Sequence, residues 1–201
     1  MNNYNSALVK EIFSRLFVMA IDNKINLSSF TTMLIKSDFV HHIENNQYID
    51  IGYKSIVDIF YEITNFKVKE DCTFGVFNDA YWCGNAYFYL FSVTKKPFSY
   101  IFLKFPLQKM IDLYPLFHEM DWSELLEMFK KTEKEKTIFR LLYETRRYSI
   151  PKISELLKIN VNTLRSYIKS DDKLYNASFK NIFLIARFFD VPVNLFIEKL
   201  D

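Results

Sequence analysis

Four polar side chains near the C-terminal end of the sequence fall on one side of a helix-length segment. Asn162, Arg165, Ser166 and Lys169 recur at i, i+3, i+4 and i+7. They supply an amide, a guanidinium, a hydroxyl and an ammonium, with no acid among them. Such groups hydrogen-bond base edges and phosphate oxygens, so the chemistry on offer is recognition of nucleic acid, not bond making. Nothing else in the chain collects reactive groups in a comparable pattern. The three histidines and two cysteines show no metal-ligand spacing. His118, Glu119 and Asp121 could meet at a cation, but a helix cap at Asp121 or Ser123 accounts for the same residues. The run H-E-M-D is no zinc-protease motif, because the residue four after His118 is Trp122. There is no nucleophile elbow, P-loop or dinucleotide fingerprint, and three glycines leave few places for a phosphate cradle. The expectation is a binding protein: no enzyme, no cofactor and no metal.

The elements that must position the polar face lie in residues 149–171, S-I-P-K-I-S-E-L-L-K-I-N-V-N-T-L-R-S-Y-I-K-S-D. The pattern predicts two short helices separated by a tight turn. Ser149 is a suitable N-cap for the first, and Pro151 is tolerated in a first turn. Ile153, Leu156 and Leu157 form its apolar stripe. Asn160 caps the second helix, whose Val161, Leu164 and Ile168 point to a core. Upstream, the charge run K-K-T-E-K-E-K reads as another helix start. Thr132 would cap it, Glu133 and Glu135 would lie in its first turn, and Ile138, Leu141, Leu142 and Tyr143 would be its core side. Arg146 and Arg147 follow, favourable for a helix C-terminus and close enough in sequence to reach phosphate.

These residues resemble the helix-turn-helix of the Cro/repressor type, the XRE-like family. Ser154 takes the family's small position facing the second helix, and Ile159 the hydrophobic position after the turn. Thr163, Leu164 and Tyr167 match the polar-Thr-Ile/Leu-x-x-Tyr run of the recognition helix. The likeness continues through N-A-S-F-K-N-I-F-L-I-A-R-F-F-D-V-P-V-N-L-F, similar to the family's fourth and fifth helices, with the Ile185-Ala186 pair and the Val191-Pro192 turn. It covers about a third of the chain. It implies a five-helix, lambda-repressor-like domain over residues 130–201 that binds a double-stranded DNA operator as a dimer. Asn160, Asn162, Thr163, Arg165 and Ser166 would then face bases or flanking phosphates, with Arg165 on a guanine. Lys152, Lys169, Lys180, Arg146 and Arg147 would position the backbone. Three positions depart from the family pattern. Lys158 stands where Gly is favoured, at about 1 kcal/mol if the backbone there is left-handed. Ile150 replaces a Gln that is often a DNA contact, and Ile168 replaces a Glu. The plainer alternative is a helix-turn-helix kept for protein contacts.

Residues 1–129 read as a separate helical domain. Helices are expected over 4–21, over 27–43 with a break near Ser37-Asp38 and a cap at Ser28 or Ser29, and over 53–64. Gln47 to Ile51 suits a short strand. The alternation of Phe66 and Val68, then Cys72, Phe74 and Val76, leaves room for a small β-hairpin. Asn78 should cap a helix over 79–93 whose aromatic residues lie on all sides, as in a buried central helix. A cofactor or base-stacking cage is the sharper reading of the same rings. Residues 98–105 fit a helical turn or a strand, Pro106 opens a helix to 113, and Pro115 starts another. The segments N-A-Y-F-Y-L-F, F-S-Y-I-F-L-K-F-P-L-Q-K-M and Y-P-L-F-H-E-M-D are also similar to a group of bacterial proteins that end in the same helix-turn-helix, some within toxin–antitoxin-like operons. The fold class is therefore mainly α.

Charge divides along the same line. Residues 1–129 carry 11 basic and 15 acidic side chains, residues 130–201 carry 15 and 9. A net of −4 followed by +6 puts the basic excess where DNA would bind. No run of 18 apolar residues is present, so no membrane span is expected. The N-terminus lacks the basic-then-apolar layout of a signal peptide, and Cys72 and Cys83 should be reduced and buried, which together point to the cytoplasm. Two functions fit: a bacterial sequence-specific transcriptional regulator, or an antitoxin that neutralises a toxin through residues 1–129 and represses its own operon. A homodimer is expected in either case.

Overall fold

In a computed structural model of the chain, the described residues are 3–47, 51, 53–68, 78–144, 146 and 148–196. They form helices α1 (Asn3–Asp22), α2 (Leu27–Ile35), α3 (Asp38–Glu44), α4 (Ile56–Thr64), α5 (Asn78–Thr94), α6 (Phe98–Lys104), α7 (Leu107–Phe117) and α8 (Trp122–Glu135). After these come α9 (Ile138–Glu144), α10 (Ile150–Leu157), α11 (Val161–Lys169), α12 (Asp171–Tyr175), α13 (Phe179–Phe189) and a 3-10 turn at Val193–Phe196. The protein is mainly helical, with no strand among the described residues. The chain divides into two compact units, 1–125 and 126–201, the division falling inside α8. No described helix is long and apolar enough to cross a membrane.

The first unit is built on α1 against α5, the most extensive helix pair of the protein. Their approach is permitted by Gly84, where an added Cβ would lie 2.4 Å from the Ser14 Cα. Around this crossing sits a continuous stack of rings. Phe13 lies 4.7 Å from Phe98 and 5.5 Å from Phe17, Phe17 meets Phe30 at 5.3 Å and Tyr87 at 5.7 Å, and Tyr87 meets Phe102 at 4.3 Å. Each such side chain contributes about 2–3 kcal/mol by leaving water. Trp82, Tyr87, Phe88 and Phe91 of α5 are thus core, while Tyr81 is exposed and Tyr89 half-buried. Two polar groups in this core are paired with main chain. The buried Tyr87 hydroxyl donates to the Phe105 carbonyl at 2.7 Å, and the Glu44 carboxylate accepts from the Phe98 amide at 2.7 Å, capping α6 where Pro97 cannot. Burial pushes the Cys83 thiol far up, so it is a small core residue and not a nucleophile. Cys72 lies outside the described residues.

Several sequence expectations are corrected here. The cap of α2 is Asn26, whose Oδ1 accepts from the Ser29 amide at 3.0 Å, and Ser37 caps α3 after a true break. Helix α4 starts at Ile56 under a Ser55 cap, not at Tyr53. Residue 78 is the first residue of α5 instead of its cap. Residues 98–105 are helical up to Lys104. Pro115 does not start a helix but lies inside α7, within its last turn, where only one backbone hydrogen bond is forfeited. Most of the strand expected at Gln47–Ile51 and the Cys72–Val76 arm of the hairpin lie outside the described residues, while Phe66 and Val68 are not in a strand.

In the second unit the charge run does not start a helix. It completes α8, a sequence of good helix formers, with the Thr132 hydroxyl donating back to the Met128 carbonyl at 3.1 Å. The break comes at Lys136–Thr137. The Thr137 hydroxyl accepts from the Arg140 amide at 3.3 Å and so caps α9. The core side of α9 is Ile138, Phe139 and Leu142, while Leu141 and Tyr143 are only half-buried. Asp171 and Asp172 open the short α12. Ile182, Ile185, Ala186 and Phe189 of α13 close the core at helical spacing.

Candidate nucleic-acid interface

Helix α10 begins under Ser149, whose hydroxyl accepts from the Lys152 amide at 3.4 Å, with Pro151 in the first turn. Its buried side is Ile150, Ile153 and Leu157. Leu156 is 48% exposed, which corrects the expected stripe. The reason is angular: i, i+3, i+7 keeps Ile150 and Leu157 on the same line as Ile153, and Leu156 falls off it. Ile150 is thus a core residue at the place where the resembling family has a polar contact.

The turn after α10 is fixed by three features. Lys158 takes a left-handed backbone, φ 55° and ψ 36°. The Ser154 hydroxyl donates across the turn to the Ile159 carbonyl, and the Ile159 side chain is buried. Asn160 then caps α11, its Oδ1 accepting from the Asn162 amide at 2.8 Å.

Helix α11 packs inward through Leu164 and Tyr167, both buried, while Val161 and Ile168 remain half-exposed. Tyr167 therefore takes the core role that spacing assigned to Ile168. Its outer side presents Asn162, Arg165 and Lys169, all exposed, with Thr163 and Ser166 half-buried beside them. The Ser166 hydroxyl donates to the Thr163 carbonyl at 2.7 Å, so it meets a ligand as an acceptor. No carboxylate among the described residues pairs with Arg165 or Lys169. These two cations stand in water, available to an anion.

The far end of α11 is held as firmly as its start. The Thr137 hydroxyl donates to the Ile168 carbonyl at 2.9 Å, and the Asp171 carboxylate accepts from the Ile138 amide at 2.7 Å. The start of α9 and the end of α11 thus satisfy each other's open backbone groups. The Asn181 side-chain amide donates to the Tyr167 hydroxyl at 3.2 Å and brings the first turn of α13 beside α11. Lys180, exposed, is the neighbouring residue. Sequence reasoning missed Thr137, Asp171 and Asn181. The Ser-Asp pair at 170–171 carried a helix-start signal, but its partner 33 residues away did not.

The remaining basic residues are partly engaged. The Lys152 ammonium pairs with Glu155 at 2.9 Å, one turn along α10. The Arg146 guanidinium donates to the Phe189 carbonyl at 3.4 Å, at the end of α13, and its side chain is otherwise exposed. Arg147 lies outside the described residues. Elsewhere, Asp121 caps α8 by accepting from the Ser123 amide at 2.8 Å, and hydrogen bonds from the Ser123 side chain and amide hold its carboxyl below the ordinary range. His118 Nδ1 lies 2.9 Å from the Tyr114 carbonyl. Among the described residues no three His, Cys, Asp or Glu side chains converge as metal ligands. The arrangement can bind through hydrogen bonds and charge. No protein-family model, curated protein or solved structure matches the chain.

Proposed function

We propose that the second unit is an XRE-like helix-turn-helix domain and that the protein is a sequence-specific DNA-binding transcriptional regulator. The observation that carries this reading is the outer side of α11, where Asn162, Arg165 and Lys169 are exposed and unopposed by acid on a helix fixed at both ends. With α11 in the major groove, Asn162 and Arg165 meet base edges, Thr163 and Ser166 the flanking groups, and Lys169 and Lys180 the phosphates. Asn160 keeps its amide NH2 for the same backbone, since only its oxygen serves the cap. Lys152 and Arg146 must release a local partner to join, so they add less. The test is a gel shift with DNA from upstream of the protein's own gene. Arg165→Ala should weaken binding by about 1–3 kcal/mol and relax preference at one base pair. Binding equal to wild type would remove Arg165 from the interface.

A second reading, that residues 1–129 bind and neutralise a protein as an antitoxin does, is favoured by the corner after α7. Leu116 and Met120 are 70% and 48% exposed there, beside the exposed Glu119 and Asp121. Large apolar side chains in an acidic rim suit a basic partner surface. Co-purification of the full chain with the product of a neighbouring gene, lost on Leu116→Ser/Met120→Ser, is the measurement that separates this from a plain regulator.

A further inference from the structure

Helix α13 carries rings that its own unit does not bury. Phe179 and Phe183 are 72% and 47% exposed, and they stack on each other at 6.3 Å and 28°. The buried row of the same helix is Ile182, Ile185, Ala186 and Phe189. Beside the exposed rings run Lys180 and Arg187, both exposed as well. Lys180 stands three residues before Phe183 and Arg187 four after it, the spacings that make neighbours on a helix surface. No carboxylate pairs with either cation among the described residues, and α13 itself contains no acid.

Size and charge decide what such a row can hold. At about 200 Å² for a whole aromatic side chain, the two rings offer roughly 240 Å². A protein partner of standard size covers about 800 Å², so the row is too small for one. A nucleobase needs only the face of a single ring, and the phosphates that flank it need the two cations. In a duplex each base face is already covered by its neighbours, so an unpaired strand alone can use the rings. We propose that Phe179, Phe183, Lys180 and Arg187 form a binding site for single-stranded DNA.

Bases stack on the two rings while the cations take adjacent phosphates. The Asn181 amide is spent on the Tyr167 hydroxyl, so the row keeps no amide for reading a base edge, and binding is tolerant of sequence. The same economy leaves no group set aside for a ribose 2′-OH. DNA is the strand of choice by continuity. Lys180 also belongs to the proposed duplex interface, and the Asn181–Tyr167 bond joins the first turn of α13 to α11. A strand leaving the duplex therefore meets the rings next. This choice of DNA rests on the DNA-binding reading, while the site itself does not.

Fluorescence anisotropy of the full chain with a labelled thymidine oligomer tests it. Phe179→Ala and Phe183→Ala should each weaken binding about tenfold. An abasic deoxyribose-phosphate strand should bind the wild type no better than the thymidine oligomer binds the double alanine variant. Lys180→Ala and Arg187→Ala should each flatten the slope of log K against log salt by about 0.7. Phe179→Trp should keep the affinity and show quenching of its indole as a base stacks on it. Arg165→Ala/Lys169→Ala, on α11, should weaken the oligomer far less than Phe179→Ala does. Equal binding of the abasic strand, no loss in Phe179→Ala/Phe183→Ala, or tighter binding of a uridine oligomer overturns the proposal. The gel shift with upstream duplex is scored in parallel. A normal shift without single-strand binding removes the α13 site and leaves the regulator standing, whereas single-strand binding without a shift does the reverse.

Discussion

Lys158 has a left-handed backbone at the one position of the turn where glycine would carry no Cβ penalty. It is not alone: Lys24, Asn46, Asn65, Lys95 and Asp190 do the same at other helix ends, in a chain with three glycines. A non-glycine residue pays about 1–2 kcal/mol in this region, while glycine loses about 0.5–1 kcal/mol more backbone entropy on folding. The first term is larger. Lys158→Gly should therefore raise the denaturant midpoint, by about 0.5–1 kcal/mol in free energy, and Lys158→Ala, which keeps the Cβ, should not. A midpoint unchanged by the glycine would show that the turn is not strained. The same scale decides how α11 can be read: Ser166 offers acceptor lone pairs, since its proton goes to Thr163, and the donors are Asn162, Arg165 and Lys169.

Between elements, the contact that most constrains the first unit is α1 against α5. A Cβ at residue 84 would meet backbone, the Ser14 Cα at 2.4 Å, which no rotamer change relieves. Alanine gains up to about 1 kcal/mol of helix propensity over glycine, but overpacking of this kind costs about 1–3 kcal/mol or more. Gly84→Ala should be net destabilising, and Ser14→Gly should not rescue it, since the obstacle is main chain. Thermal unfolding of the double variant measures this. The same helices are joined at the surface where the Tyr81 hydroxyl donates to Glu11, which also pairs with Arg15 at 2.6 Å. Partial burial works to raise the Glu11 carboxyl, but the Tyr81 and Arg15 hydrogen bonds outweigh it and hold it below the ordinary 4.5. A carboxylate lowered on folding stabilises fully above 4.5, and that contribution is lost as pH falls through its lower folded value. Acid unfolding of Glu11→Gln should show less stability than wild type near neutral pH, and the two curves should converge below the folded value. Parallel curves would assign the loss to packing instead.

At the scale of the whole molecule, charge is the property that separates the two units, and under the proposed DNA-binding function it predicts how binding responds to salt. Lys169 and Lys180 are exposed and have no carboxylate partner among the described residues. Replacing each by Ala should flatten the slope of log K against log salt by about one unit, uniformly across DNA sequences. Lys152→Ala should change it less, because its ammonium is already paired with Glu155. Titrations at several salt concentrations read both. What the sequence determined by itself was local: the mainly helical class, the caps at Ser149 and Asn160, the break at Ser37, and the exposed row Asn162–Arg165–Lys169, all of which follow from periodicity and hydrogen-bonding side chains within a few residues. Spacing alone misassigned Leu156, Val161 and Ile168 to the core. A helical row is wide enough to include either of two neighbouring positions, and only the packing of α10 and α11 on the rest of their unit chose Ile150 and Tyr167. The charge run at 130–136 was misread because helix formers with a Thr suit a helix end as well as a start. The ring stack about Phe13, the Gly84–Ser14 approach, the Glu44 cap on α6 and the Thr137–Ile168 and Asp171–Ile138 bonds were decided only by tertiary structure, since each joins residues far apart in the chain and no local pattern encodes a partner.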